Sequence, residues 1–369
     1  METSFGPFAL LSSFGIVQAI FWAIVLLSLK RGNVVANRIL ALLLLLFSIG
    51  IASTILYETK YILSYPHFAE IATPILFVYP PLFFLYVKRL TSESLNLKIS
   101  LFHFIPFLIC TAYVFPFYIN GAEYKTHYLL STFNNPSQEY LVISNLFIVQ
   151  ELIYIVLTLK LVARHVQKIK DTYSAIEKIN LAWIRNLIIA LILVWVLYVF
   201  VEIVESPIQS NLIVAVSITI FIYVMGFMGL RQPAVFLEGD HTDAKKKYQK
   251  SGLTPDKAEK YLKKLLDFME TEKPYIDQNL TLHQLAKKLS ISTHHLSQLL
   301  NEKLNQAFFD FVNSYRVDEA KKELADPDKD HFTILAIAYN AGFNSKSSFN
   351  AAFKKHTSMT PSQFKKAMP

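Results

Sequence analysis

The chain is predicted to be all-α: a transmembrane bundle of seven helices followed by a cytoplasmic all-α domain holding two helix-turn-helix units. Three observations carry this expectation. Long apolar runs fill roughly the first 230 of 369 residues, the remainder switches to amphipathic helices of ordinary length, and that remainder repeats one construction twice. Charge divides the chain the same way. Residues 1–239 hold 15 Lys and Arg against 12 Asp and Glu, whereas residues 240–369 hold 21 against 16 and six of the ten histidines. The lone cysteine, Cys110, cannot form an intrachain disulfide, so no oxidised framework holds either part.

Seven apolar runs are long enough to consider as spans, at residues 8–29, 39–57, 71–87, 101–119, 140–159, 187–204 and 211–230. Crossing a hydrocarbon core of about 30 Å takes about 20 apolar residues in a helix, which satisfies its own backbone there. The third and sixth runs are the shortest. A buried helix of a soluble protein needs a polar face at helical spacing, and a run such as LALLLLLFSIGI has none.

Orientation follows from the connections, because Lys and Arg are retained on the cytoplasmic side. Those after the first, third and fifth runs hold Lys30, Arg31 and Arg38; Lys88, Arg89 and Lys98; and Lys160, Arg164, Lys168, Lys170, Lys178 and Arg185. The N-terminus and the other three hold only Lys60 and Lys125. The N-terminus is therefore expected outside and the charged C-terminal part in the cytoplasm, as in a multi-pass membrane protein. Met1 to Pro7 carries no positive charge, and Lys30 and Arg31 follow the first run, so that run reads as an anchor rather than a cleaved signal.

Ionisable groups inside a span are costly and are read for function first. Glu151 falls near the middle of the fifth run, where Tyr140, Ser144, Glu151 and Thr158 share one helical face expected to look into the bundle. It is a candidate for ligand or proton sensing; the alternative is an interhelical hydrogen-bonding glutamate. Pro74, Pro80, Pro81, Pro106 and Pro116 interrupt the third and fourth runs, which frees carbonyls, permits bends and suits a cavity between helices. Enzyme chemistry finds no support: the chain has no HExxH, no paired intramembrane aspartates and no glycine-rich phosphate loop, and the seventh run has no lysine for a retinal Schiff base. Neither a cofactor nor a metal is called for. His294 and His295 are neighbours that diverge by about 100° on a helix, so they do not form a metal pair.

Residues 231–254 read as a juxtamembrane linker with a lysine run at 245–247, favoured as a solvated tether, with contact to anionic membrane lipid as the alternative. As a flexible tether its 24 residues have a root-mean-square span of about 27 Å. From Thr254 the pattern becomes helical and amphipathic. A first helix spans Pro255 to Glu272, with proline in its first turn. Two similar constructions follow. TLHQLAKKL, a short turn and THHLSQLLNEK make the first; FTILAIAYNAGF and SKSSFNAAFKK make the second. Ser292 and Ser345 are the expected N-caps of the second helices, and Gly342 the turn residue able to take positive φ. In the first unit Leu296, Leu299 and Leu300 are assigned to the core and Thr293, His294, His295, Ser297 and Gln298 to the outside. In the second, Phe349 and Phe353 are core and Ser345, Lys346, Ser347, Asn350 and Ala351 lie outward or at the helix start, with Lys354 and Lys355 behind them. Small polar side chains at a helix start, backed by lysines, suit a helix that enters a major groove and meets phosphates at its edge.

Here the chain resembles the AraC/XylS family of bacterial transcription regulators, and its membrane-bound members in particular. The residues that carry the resemblance are LTLHQLAKKLSISTHHLSQLLNE, the bridging FDFVNSYRVDEAKKEL and IAYNAGFNSKSSFNAAFKKHTSMTPSQF, within about residues 255–366. It implies a fold in which one monomer sets two recognition helices in successive major grooves, joined by a rigid helix. Phe308 to Ala325 gives about 27 Å of helix for that bridge. Two departures stand out. Past Gln232 the only arginine is Arg316, which matches the bridge and is expected to be structural. Ser358 stands where the family usually has glycine. The readers are then His294, Gln298, Lys346, Ser347 and Asn350.

The function expected is a non-enzymatic, membrane-bound one-component transcriptional regulator: residues 1–230 sense a small-molecule or membrane signal, and residues 255–369 bind double-stranded promoter DNA, with a homodimer as a means to greater specificity. The alternative is a membrane receptor or transporter whose cytoplasmic domain docks protein partners.

Overall fold

The computed structural model describes residues 6–30, 32–91, 96–132, 138–203, 210–232 and 253–367. Arg31 and the linker from 233 to 252, with its lysines at 245–247, lie outside the described residues. Among those described there is no strand, and an isolated antiparallel bridge pairs Tyr173 with Thr281. The chain divides into two compact units. The first comprises Met1–Ala163 and Leu181–Leu237; the second comprises Arg164–Asn180 and Glu238–Pro369.

In the first unit α1 (Pro7–Ser28) and α2 (Val34–Glu58) pack on one another, and α1 also packs on α10 (Ser210–Arg231). The seam of α1 is small: Ala9, Ser12, Gly15, Ala19 and Ala23 are its buried residues besides Leu26. Small side chains at three- and four-residue spacing let backbones approach closely, the packing available to helices that gain no hydrophobic drive from a lipid solvent. Gly226 on α10 shows how close the fit is, since a Cβ there would come within 2.3 Å of the Trp22 ring. The opposite face of α1 is apolar and open, with Phe14, Val17 and Ile24 each more than 60% exposed.

The seven apolar runs are all helical, but not each as one straight helix. By length and composition α1, α2 and α8 (Gln138–Lys170) are each able to cross a membrane alone. Two more candidates are bent pairs, which brings the number among the described residues to five if each pair counts as one span. Pro66–Leu76, which ends in α3 (Ala72–Leu76), meets α4 (Tyr79–Leu90) at 45°, and α6 (Ile105–Ile119) meets α7 (Ala122–Thr132) at 117°. A short helix, α5 (Leu97–Phe102), precedes α6. Ala182–Val194, within α9 (Ala182–Ile203), and Val216–Arg231 are shorter apolar helices. The first break has a local cause: α4 opens with Pro80 and Pro81, whose rings cannot continue the preceding helix, and the Phe77 carbonyl released there accepts a 3.1 Å hydrogen bond from Nε2 of Gln150 on α8.

The face expected to look into the bundle is only partly inward. On α8 Thr158 is buried, Ser144 and Glu151 are half-buried, and Tyr140 is 54% exposed. Gln150, one position before Glu151, makes the interior contact instead.

The second unit has two adjoining cores. One gathers α11 (Pro255–Thr271), α12 (Leu282–Lys288), α13 (Thr293–Lys303) and the start of α14 (Phe308–Leu324), around Leu265, Leu285, Leu296, Leu299 and Val312. The other gathers the end of α14, α15 (Ile334–Asn340) and α16 (Lys346–Thr357), around Val317, Ala320, Ile337, Phe343, Phe349 and Phe353, with Phe364 of α17 (Pro361–Lys366) against it. One continuous helix therefore gives its first half to one core and its second half to the other.

Candidate nucleic-acid interface

Each second helix begins where its N-cap dictates. Ser292 Oγ accepts from the His295 amide at 3.1 Å, and Ser345 Oγ accepts from the Ser348 amide at 3.1 Å. The preceding helices are capped in the same manner, by a Thr281–Gln284 capping box and by Thr333 accepting from Ala336. Both turns pass through positive φ. Ser290 takes 56° in the first, and Gly342 takes 92° in the second. At Gly342 a Cβ would lie 2.3 Å from the Tyr275 carbonyl oxygen, so the second turn requires glycine for both conformation and space.

The outward surface of α16 matches expectation. Lys346, Ser347, Asn350, Ala351, Lys354 and Lys355 are exposed, with Ser345 half-buried at the cap, while Phe349 and Phe353 are buried. Lys355 is not a free cation, however. Its Nζ pairs with Asp310 of α14 at 2.6 Å, leaving Lys354 as the neighbour without a described carboxylate partner. On α13, Thr293, His294, His295 and Ser297 are half-buried. The His295 ring lies 6.2 Å from that of Tyr261 on α11, and Thr293 Oγ1 lies 3.4 Å from His283 Nδ1. Gln298 corrects the sequence reading. Expected on the outward face, it is 7% exposed, and its Nε2 donates to Glu302 Oε2 at 3.0 Å, an i to i+4 pair along the helix. Helical phase is not the cause, because at about 100° per residue position 298 lies well away from the stripe of Leu296, Leu299 and Leu300; its side chain is covered locally, folded along the helix onto Glu302. Glu151 belongs to the first unit.

Arg316 is structural, as expected, and the structure shows how completely. It is 1% exposed, and all five of its N–H donors are used. Nε donates to the Tyr275 carbonyl at 2.8 Å; Nη1 donates to Ser174 O at 3.1 Å and Asn313 Oδ1 at 3.2 Å; Nη2 donates to Ser174 Oγ at 3.1 Å and Asp277 O at 2.8 Å. Burial pushes the guanidinium down to about 10, opposed by the charges of Glu177 and Asp277, so it remains protonated at neutral pH. Two of its five bonds go to Ser174, far away in sequence. That residue lies in a strap, residues 171–180, which follows α8 and pairs with the start of α12. Leu282 donates to Thr172 O at 2.9 Å, and the Ser174 amide and hydroxyl both donate to Leu280 O, at 3.3 and 2.7 Å. The Lys170 ammonium also lies 5.7 Å from the centre of the Phe309 ring on α14. Sequence reasoning missed Ser174, because a serine in a polar connection carries no signal of a partner 142 positions away.

Comparison with known proteins bears on this second unit. Residues 285–367 match the family model HTH_18, helix-turn-helix domain. An uncharacterized HTH-type transcriptional regulator of Staphylococcus aureus (strain COL) is 35% identical over 95 residues, 26% of this chain and 12% of that protein. The melibiose operon regulatory protein of Escherichia coli (strain K12) is 28% identical over 109 residues, 30% of this chain and 34% of that protein. The chain thus spans about an eighth to a third of the length of these relatives. Among solved structures, a protein of unknown function from Listeria innocua is 27% identical and covers 29% of this chain and 97% of its own, with a TM-score of 0.26. The matched relatives are named as transcriptional or operon regulators, and residues 285–367 of this chain match a helix-turn-helix domain.

Proposed function

We propose that the protein is a membrane-bound one-component transcriptional regulator. Residues 1–230 form a sensor of seven spans in a bacterial inner membrane with the N-terminus outside, 231–254 a juxtamembrane linker, and 255–369 a cytoplasmic domain whose two helix-turn-helix units bind promoter DNA. The observation that carries the reading is the pairing of two surfaces in one chain. One unit exposes apolar side chains on its helices and buries small ones; the other presents, on α16, a polar helix start with lysines behind it. Lys346, Ser347 and Asn350 are the readers on α16, and Thr293, His294, His295 and Ser297 face the groove edge on α13. Gln298 then acts by holding Glu302 rather than by reading bases. With no arginine to pair with guanine, a homodimer supplies the specificity that one monomer lacks.

A signal has two routes to the DNA-binding domain, one covalent and one through hydrogen bonds. Besides the seventh span and its linker, the strap after α8 ends on the Arg316 network of the bridging helix. A shift of α8 would alter the support of the helix that joins the two cores. The test is DNA binding by the purified full chain in nanodiscs across a salt series. Affinity is expected to fall linearly with the logarithm of salt concentration, and Lys354→Ala to reduce the slope by about 1. Lys355→Ala is expected to change it less, since Asp310 already neutralises that ammonium. Absence of salt-dependent binding to any duplex would overturn the reading.

A further inference from the structure

The first unit contains a buried cation that DNA binding does not use. Lys125 on α7 is 2% exposed. Its Nζ donates to the Tyr118 carbonyl at 2.9 Å, lies 3.2 Å from Nδ1 of His67 and sits 5.5 Å from the centre of the Phe117 ring. Among the described residues no carboxylate pairs with it. Glu70, three positions after His67, is engaged elsewhere: its carboxylate accepts from the Tyr57 and Thr73 hydroxyls. An ammonium removed from water without a carboxylate partner is costly, and a fold that keeps one invites an anion to complete it.

The same lysine lines a cleft of about 490 Å³, within the range of small-molecule sites. Ile71, Ile75 and Phe107 form an apolar wall, and Thr111, His67 and Lys125 supply the polar groups. The bent helix pairs create it, because α3 and the preceding 3-10 turn contribute one side and α6 with α7 the other.

We propose that this cleft binds a small organic carboxylate with an apolar body, the carboxylate on Lys125 and the body against Ile71, Ile75 and Phe107. A single ammonium beside an imidazole matches one negative charge. A phosphate dianion would leave charge unmatched against an apolar wall. The proposal deepens the sensing reading, on which it rests only for its consequence at DNA.

The probes are octanoate, reaching the site from water, and oleate, reaching it from the bilayer, each radiolabelled and tested on the full chain in phosphatidylcholine nanodiscs. Saturable binding of at least one is expected, displaced neither by octan-1-ol nor by inorganic phosphate. Lys125→Met should weaken it at least tenfold and Lys125→Arg less than threefold. Ile75→Trp, which fills the cleft and keeps the charge, should abolish it, and decides the matter should Lys125→Met not fold. Binding of neither probe, equal displacement by octan-1-ol or phosphate, or unchanged binding in folded Lys125→Met would overturn the site. DNA affinity is read on the same sample. Lys125-dependent carboxylate binding that leaves DNA affinity unchanged supports the site and counts against sensing. Failure to bind the probes removes the site and leaves the DNA-binding reading to its own salt test.

Discussion

Positive φ is tolerated at two neighbouring points of the second helix pair for different reasons, and substitution separates them. Gly342 has φ 92° and a backbone oxygen where a Cβ would go, so Gly342→Ala combines conformational strain with a steric clash. It is expected to destabilise the second unit by about 2 kcal/mol or more. Ser358 has φ 61° at the end of α16 and is exposed, so only the conformation is unfavourable there. Ser358→Gly should therefore stabilise, by about 0.5–1 kcal/mol, because glycine reaches this region without a Cβ penalty. Urea midpoints of the two variants, moving in opposite directions, check both statements. The serine shows that this chain keeps the left-handed turn without the usual residue and accepts the cost.

At the level of elements, the bridging helix α14 is held from both sides. Its apolar residues are shared between two cores, and Arg316, between Phe311 and Val317 in sequence, binds the strap 171–180. Ser174→Ala deletes one acceptor of a buried charge and leaves a guanidinium donor unsatisfied, for an expected loss of about 1–3 kcal/mol. Thr172→Ala is the control, since Thr172 meets Leu282 through its main-chain carbonyl, and its effect should stay within about 0.5 kcal/mol. Hydrogen exchange at the Leu282 amide, which is bonded to the strap, should quicken in Ser174→Ala and hold in Thr172→Ala. Equal protection in both variants would mean that the strap rests on its backbone bonds alone.

For the whole molecule, the charge bias of the connections and the exposed apolar faces make one joint prediction about topology. An alkaline phosphatase fusion at Gly121, beside Lys125, is expected to be active outside, and one following Ala367 inactive. A fluorescent protein that matures only in the cytoplasm should show the reverse pattern. An active phosphatase at the C-terminus would place the helix-turn-helix domain away from DNA and remove the regulatory reading with it. The cleft around Lys125 would, on the expected topology, open on the side from which a soluble carboxylate arrives.

Local rules reached far into this protein. Apolar run length marked seven helical regions, serines and a glycine at fixed offsets marked the second helices and their turn, and 3.6-residue periodicity separated Leu296, Leu299, Phe349 and Phe353 from the exposed α16 residues. These are properties of a helix and its termini, so neighbouring residues are enough to specify them. Bends were foreseen from prolines, but not where the released carbonyl would go; Gln150 answers that from another helix. Pairing is where sequence stops. Gln298 folded onto Glu302, Lys355 was taken by Asp310, Arg316 by Ser174, and Lys125 was left beside His67 in a cleft. The last three outcomes depend on which elements the tertiary structure brings within hydrogen-bond reach, and no spacing along the chain records them.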